Sequence, residues 1–61
     1  MSKSHHFYKG YIIIYENTDD KLNVTEIFYD DKMEKCDMTF NNLQQMKNFI
    51  DNDGWRETLF V

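Results

Sequence analysis

Met38-Thr39-Phe40-Asn41-Asn42-Leu43-Gln44-Gln45-Met46-Lys47-Asn48-Phe49-Ile50-Asp51 is the stretch in which the chain changes its rhythm. Before it, apolar residues come in runs or alternate every second position, as a pleated strand requires. Within it, Leu43, Met46, Phe49 and Ile50 fall on one face of a helical turn. Asn41 or Asn42 is placed to cap the start, because a short side-chain oxygen accepts a bond from an orphan backbone N–H. Gln44 or Gln45 follows three residues later, as in a capping box. Gly54 stands where a left-handed residue commonly ends a helix. The pattern predicts a helix over Asn41–Asp51.

Toward the N-terminus, Phe7 to Tyr15 is rich in aromatic and β-branched residues and reads as a first strand. Gly10 interrupts it, as a bulge or as a place where an aromatic ring lies over the backbone. Asn17 to Lys21 is a polar turn, Leu22 to Tyr29 a second strand, Asp30-Asp31-Lys32 a second turn, and Met33 to Phe40 a third strand. Short turns favour an antiparallel order. The expected fold class is therefore α+β: a three-stranded antiparallel β-meander followed by one C-terminal amphipathic helix. Toward the C-terminus, Trp55, Leu59 and Val61 share one side of an alternating segment. That segment reads as a short fourth strand or a tail laid over the core, giving a βββα or βββαβ order.

The 61 residues make a single domain over 1–61. A chain this short buries only about 60% of the surface it exposes when unfolded, so a partner chain would help to stabilise it. Cys36 is the only cysteine, which excludes an internal disulfide and fits a reducing compartment. No apolar run reaches the roughly 20 residues of a membrane span, and Met1 to His6 lacks the apolar stretch of a signal peptide. The expected location is the cytoplasm, with no membrane partner.

One helix covers one face of such a sheet. Centring the first hairpin on its turn sets Ile14 opposite Val24 and Tyr11 opposite Ile27. The even-numbered face, with Ile12, Ile14, Leu22, Val24, Phe28, Met38 and Phe40, is then the one assigned to the helix. Glu26 fits that face badly and belongs at an edge or in a pair with Lys35. The other face would carry Tyr11, Ile13, Tyr15, Ile27 and Tyr29 as an uncovered apolar patch, the expected interface for a homodimer or a foreign protein. The competing reading folds the segment with Trp55, Leu59 and Phe60 over that patch.

Charge and reactive groups narrow the function classes. The formal charge is −4, with 7 basic and 11 acidic residues and Arg56 as the single arginine. Such a balance repels nucleic acid on average and favours a partner with a basic surface, toward which Asp19, Asp20, Asp30 and Asp31 could steer association. At the level of architecture alone, three strands and a helix resemble small DNA-binding domains that insert a sheet into the major groove. Tyrosines on an open sheet could also stack on bases. His5, His6 and Cys36 are too few for a structural zinc site, and the acidic turns lack calcium-loop spacing. Cys36 with His5 or His6 is the one conceivable nucleophile–base pair. No catalytic residue, metal or cofactor is expected.

Alanine and proline are absent, and Asn, Asp, Lys, Ile, Tyr and Phe are frequent, as AT-rich genomes tend to encode. These features together lead to a non-enzymatic protein-binding protein, read as a small phage- or mobile-element-encoded inhibitor of a host defence or regulatory protein. A structural or regulatory subunit of a bacterial complex is the second reading. A nucleic-acid-binding module is the third.

Overall fold

The computed structural model describes residues 3–60. Four strands, β1 (Ser4–Tyr8), β2 (Tyr11–Thr18), β3 (Lys21–Tyr29) and β4 (Lys32–Phe40), precede two helices, α1 (Leu43–Asp51) and α2 (Gly54–Thr58). The strands form one antiparallel sheet in chain order, β1-β2-β3-β4. The α+β class and the meander agree with the sequence reading, whereas the strand and helix counts differ in detail.

The extra strand comes from Lys9-Gly10. These two residues have φ of 48° and 85°, and they turn the chain back on itself where a continuous strand was expected. Asp19-Asp20 and Asp30-Asp31 adopt the same left-handed pairing. All three connections are two-residue turns of the mirror-image type, whose twist matches that of the flanking strands. Aspartate tolerates this conformation better than most residues, because its short side chain bonds locally. At Gly10 the Tyr29 ring also lies close, 3.6 Å from where a β-carbon would stand.

The start of α1 follows its sequence signals. Asn42 is the cap; its side-chain oxygen accepts the Gln45 backbone N–H at 2.8 Å, and Gln45 reaches back to the Asn41 N–H at 2.7 Å. The end does not. Asp53, not Gly54, takes the left-handed conformation, at φ 56°. Gly54 instead opens α2, against the Phe49 ring, with no room for a side chain. The segment after Asp53 is thus a short helix rather than a fourth strand. Val61 lies outside the described residues.

The two helices pack on one side of the sheet. Tyr11, Ile13, Leu22, Val24, Ile27 and Phe40 from the strands meet Met46, Ile50 and Trp55 from the helices. Trp55 is fully buried; its indole N–H donates to the Met38 sulfur at 3.0 Å. Its ring stands edge-on to Phe40 and Phe49. Phe60 packs edge-on against Tyr11 and Tyr29, which stack on each other at 4.2 Å. The folded surface is 4290 Å².

This packing corrects the assignment of faces. The helices cover the side bearing Tyr11, Ile13, Tyr15, Ile27 and Tyr29, and leave Ile12, Ile14 and Phe28 on the open side. Two causes act together. The tight Asp19-Asp20 turn pairs Thr18 with Lys21, which moves the register away from the expected Ile14–Val24 match. In addition, Thr25 is skipped: Ile14 faces Glu26 while the next residue, Tyr15, faces Val24. A bulge of this kind changes which side alternate residues face. Leu22 and Val24 on one side of the bulge therefore share the core with Ile27 on the other. Met38 and Phe40 reach the core as expected.

Candidate functional site

With one face filled, the other side of the sheet is the surface to consider. Along the register, Phe7 of β1 faces Ile12 of β2, Ile12 faces Phe28 of β3, and Phe28 faces Met33 of β4. One cross-strand row thus carries an apolar side chain on every strand. Its members are the most exposed large hydrophobic residues on the sheet, at 67%, 38%, 37% and 43% of full accessibility in that order. Neighbouring residues on adjacent strands interact through such rows, so the row is one continuous strip rather than scattered contacts.

The next row on the same face is polar at both ends. His5 faces Ile14, Ile14 faces Glu26, and Glu26 faces Lys35. Glu26 is neither at an edge nor paired with Lys35: it sits on the inner strand β3, opposite Lys35 in register, and its ion pair is with Lys3 at 3.4 Å. The His5 ring is 5.5 Å from that of Phe7. On the other flank, Ile12, Phe28 and Met33 floor a shallow depression walled by Asp30, Asp31 and Lys32. An apolar strip with a charged rim is the usual anatomy of a protein contact surface.

The expected interface residues sit elsewhere. Tyr11, Ile13 and Ile27 are buried in the core, and Tyr15 and Tyr29 are half-buried against it. The segment bearing Trp55, Leu59 and Phe60 covers that face, as the competing reading had it. The two acidic pairs are brought to opposite ends of the sheet. Asp19 and Asp20 join β2 to β3, whereas Asp30 and Asp31 join β3 to β4 at the end where the apolar strip lies. Phe7, Ile12, Phe28 and Met33 were missed as a set. The tight Asp19-Asp20 turn, the bulge at Thr25 and the turn at Lys9-Gly10 together bring them into one row, and the last two have no strong sequence signal.

The reactive groups are dispersed. Cys36 and the two histidines lie on β4 and β1, the opposite edges of the sheet. Three strand spacings, about 14 Å, separate those edges, too far for a nucleophile–base pair. The Cys36 thiol is half-buried and donates to the Val24 carbonyl at 3.5 Å; burial pushes its pKa up, away from the reactive thiolate. Among the described residues no three His, Cys, Asp or Glu side chains stand close enough to hold a metal ion. No helix among them is long and apolar enough to cross a membrane.

One polar cluster fastens the first hairpin to the helix. Asp51 receives a hydrogen bond from the Tyr8 hydroxyl at 3.0 Å and an ion pair from Lys9 at 2.6 Å. Lys47 stands over the Tyr8 ring, 5.4 Å from its centre. The Lys9 and Tyr8 bonds hold the Asp51 carboxyl below its ordinary pKa, and the same bonds raise those of Tyr8 and Lys9. Every member of the cluster is matched within the chain, which makes it a clasp rather than a binding site.

Comparison with protein-family models, curated proteins and solved structures finds no match to this chain.

Proposed function

We propose that this is a non-enzymatic protein-binding protein, and that it binds through the open face of the sheet. The carrying observation is the row Phe7, Ile12, Phe28 and Met33, which leaves apolar side chains in water on all four strands. Burying such a strip against a partner contributes roughly 25 cal/mol per Å² of apolar area. Asp30 and Asp31 beside the strip suit a partner that offers apolar side chains next to lysine or arginine. Asp19 and Asp20 extend the negative field to the far end of the sheet and act on encounter rather than on contact.

The finer reading, a phage- or mobile-element-encoded inhibitor of a host defence or regulatory protein acting in the host cytoplasm, is supported by composition and by the acidic charge. A regulatory subunit of a bacterial complex would use the same surface. A nucleic-acid role would have to use Phe7 and Phe28 as stacking rings, with Lys35 beside a glutamate and Lys3 paired to it.

The test is affinity capture from a low-GC bacterial lysate with the native chain and an Ile12→Thr/Phe28→Thr variant side by side. Both residues lie outside the core, and the variant's circular dichroism spectrum and melting transition check that its fold is kept. A stoichiometric protein partner bound by the native chain and lost by the variant supports the proposal. Equal capture by both, or recovery of nucleic acid alone, refutes it.

A further inference from the structure

The two edges of the sheet are built differently. β4 exposes Lys32, Glu34, Lys35 and Asp37, and it is kinked where Cys36 and Asp37 both stand opposite Thr25. Charges and bulges are the usual devices that stop an edge from pairing with another strand. β1, Ser-His-His-Phe-Tyr, has no Lys, Arg, Asp, Glu or proline and no register shift. It also carries Phe7, the most exposed of the large hydrophobic residues among those described.

The register fixes which backbone groups β1 leaves free. Tyr8 and Tyr11 flank a two-residue turn, so they exchange both ladder bonds. His6 with Ile13 and Ser4 with Tyr15 follow in the same phase. The N–H and C=O groups of His5 and Phe7 therefore point away from β2, along the open edge.

From this we infer that β1 is a self-pairing edge: two copies of the chain join β1 to β1 antiparallel about a two-fold axis at His6, making one eight-stranded sheet. In this register His5 of each copy faces Phe7 of the other, and the free groups of both residues are satisfied across the seam. No formal charges meet between Ser4 and Tyr8, and Lys3 and Lys9, which face each other just beyond, are each held by a carboxylate of their own chain, Glu26 and Asp51. The axis runs through the sheet, so both open faces point the same way. The His5–Phe7 ring pair of one copy then sits against that of the other, which covers the side of Phe7 that a monomer leaves in water. Two strips become one band, giving the proposed binding face a second, identical half. The seam is one short strand wide, well under the roughly 800 Å² per partner of a standard interface, so the dimer is weak and concentration-dependent. The inference does not require the binding proposal: losing the dimer leaves each single face as it was.

The test combines sedimentation with amide hydrogen exchange from about 10 μM to 1 mM, the range over which a weak pair assembles. The expected result is a monomer–dimer equilibrium. The His5 and Phe7 amides become protected as concentration rises, His6 and Tyr8 are protected throughout, and Met33 and Lys35 on the far edge do not change. His5→Pro removes one outward N–H without touching a ladder bond to β2, and should give a folded monomer at every concentration. A His5→Lys/Phe7→Lys variant keeps every backbone donor but sets lysine against lysine across the seam, and should also be monomeric. A native chain that stays monomeric at the highest concentration overturns the inference. So does a dimer that survives the lysine variant, or protection that grows at Met33 and Lys35 instead.

Discussion

Ile12 and Ile13 are adjacent on β2 and point to opposite sides of the sheet, which makes them a sensitive test of which face is the core. Ile13 is fully buried at 0% exposure, opposite Ile27, whereas Ile12 keeps 38% of its surface in water. Replacing isoleucine by valine deletes one methylene and leaves strand propensity nearly unchanged, so the cost isolates burial. At Ile13 the vacated space is enclosed by core residues, and the expected loss is about 0.5–1.5 kcal/mol. At Ile12 the site is open, and the expected change is within about 0.5 kcal/mol of zero. For a domain this small, 1 kcal/mol moves the melting temperature by roughly 4–8 °C. Thermal unfolding followed by circular dichroism separates these values easily, and the mild substitution keeps even a marginal fold intact. Ile27→Val should resemble Ile13→Val. A larger loss at Ile12 than at Ile13 would place the helices on the opposite face and refute both the packing and the binding surface derived from it.

Three further outcomes are expected. The Thr25 hydroxyl is buried at the bulge with no hydrogen-bond partner, so Thr25→Val, of the same shape, should raise stability by about 1 kcal/mol in urea unfolding. A β-carbon on Gly54 would stand 2.5 Å from the Phe49 ring, which is held between Phe40 and Trp55. Gly54→Ala should therefore cost about 1–3 kcal/mol despite its gain in helix propensity, and much less in a Phe49→Leu background, as a double-mutant cycle would measure. Asp51 has a lowered pKa in the fold, so its contribution is present above the unfolded value of about 4 and is lost as pH falls through the native one. The raised values of Tyr8 and Lys9 act the opposite way: their contributions hold at neutral pH and fade as pH rises through their native pKa values. Asp51→Asn should flatten both limbs of a stability–pH curve, and carboxyl NMR shifts of the native chain would show whether Asp51 titrates below the ordinary range.

The helix and its cap were readable in the chain because Asn42, Gln45, Met46 and Ile50 act within a few residues of one another. The places of the two aspartate turns were readable for the same reason, but not the tightness of the first, which was expected to span Asn17 to Lys21 and takes only Asp19-Asp20. Lys9-Gly10 was not: an apolar run on either side hid it, and lysine gives no sign of the left-handed conformation. The error of face arose from the tightness of the Asp19-Asp20 turn, which pairs Thr18 with Lys21, together with Thr25, where one skipped residue reverses the alternation. A bulge is a compromise between two neighbouring strands, and nothing in β3 alone announces it. Tyr11, Ile13, Tyr15, Ile27 and Tyr29 were grouped on one face, as they are, but whether that face meets water depends on the turn and the bulge together. Trp55 was legible as apolar but not as helical, since α2 is too short to show a period.

The order of the sheet has a kinetic consequence. Each strand pairs only with the strand before or after it in the chain, through turns of two residues. Loops this short cost little entropy to close, and folds dominated by such near-neighbour pairings form quickly. The hairpins can each zip from their own turn, and Thr25 is where their registers are tied together. The skips on its two sides, against Tyr15 and against Cys36-Asp37, meet at this single residue. Once it is seated, β2 and β4 are both latched to β3, and neither can slide by a residue without turning its core side chains out into water.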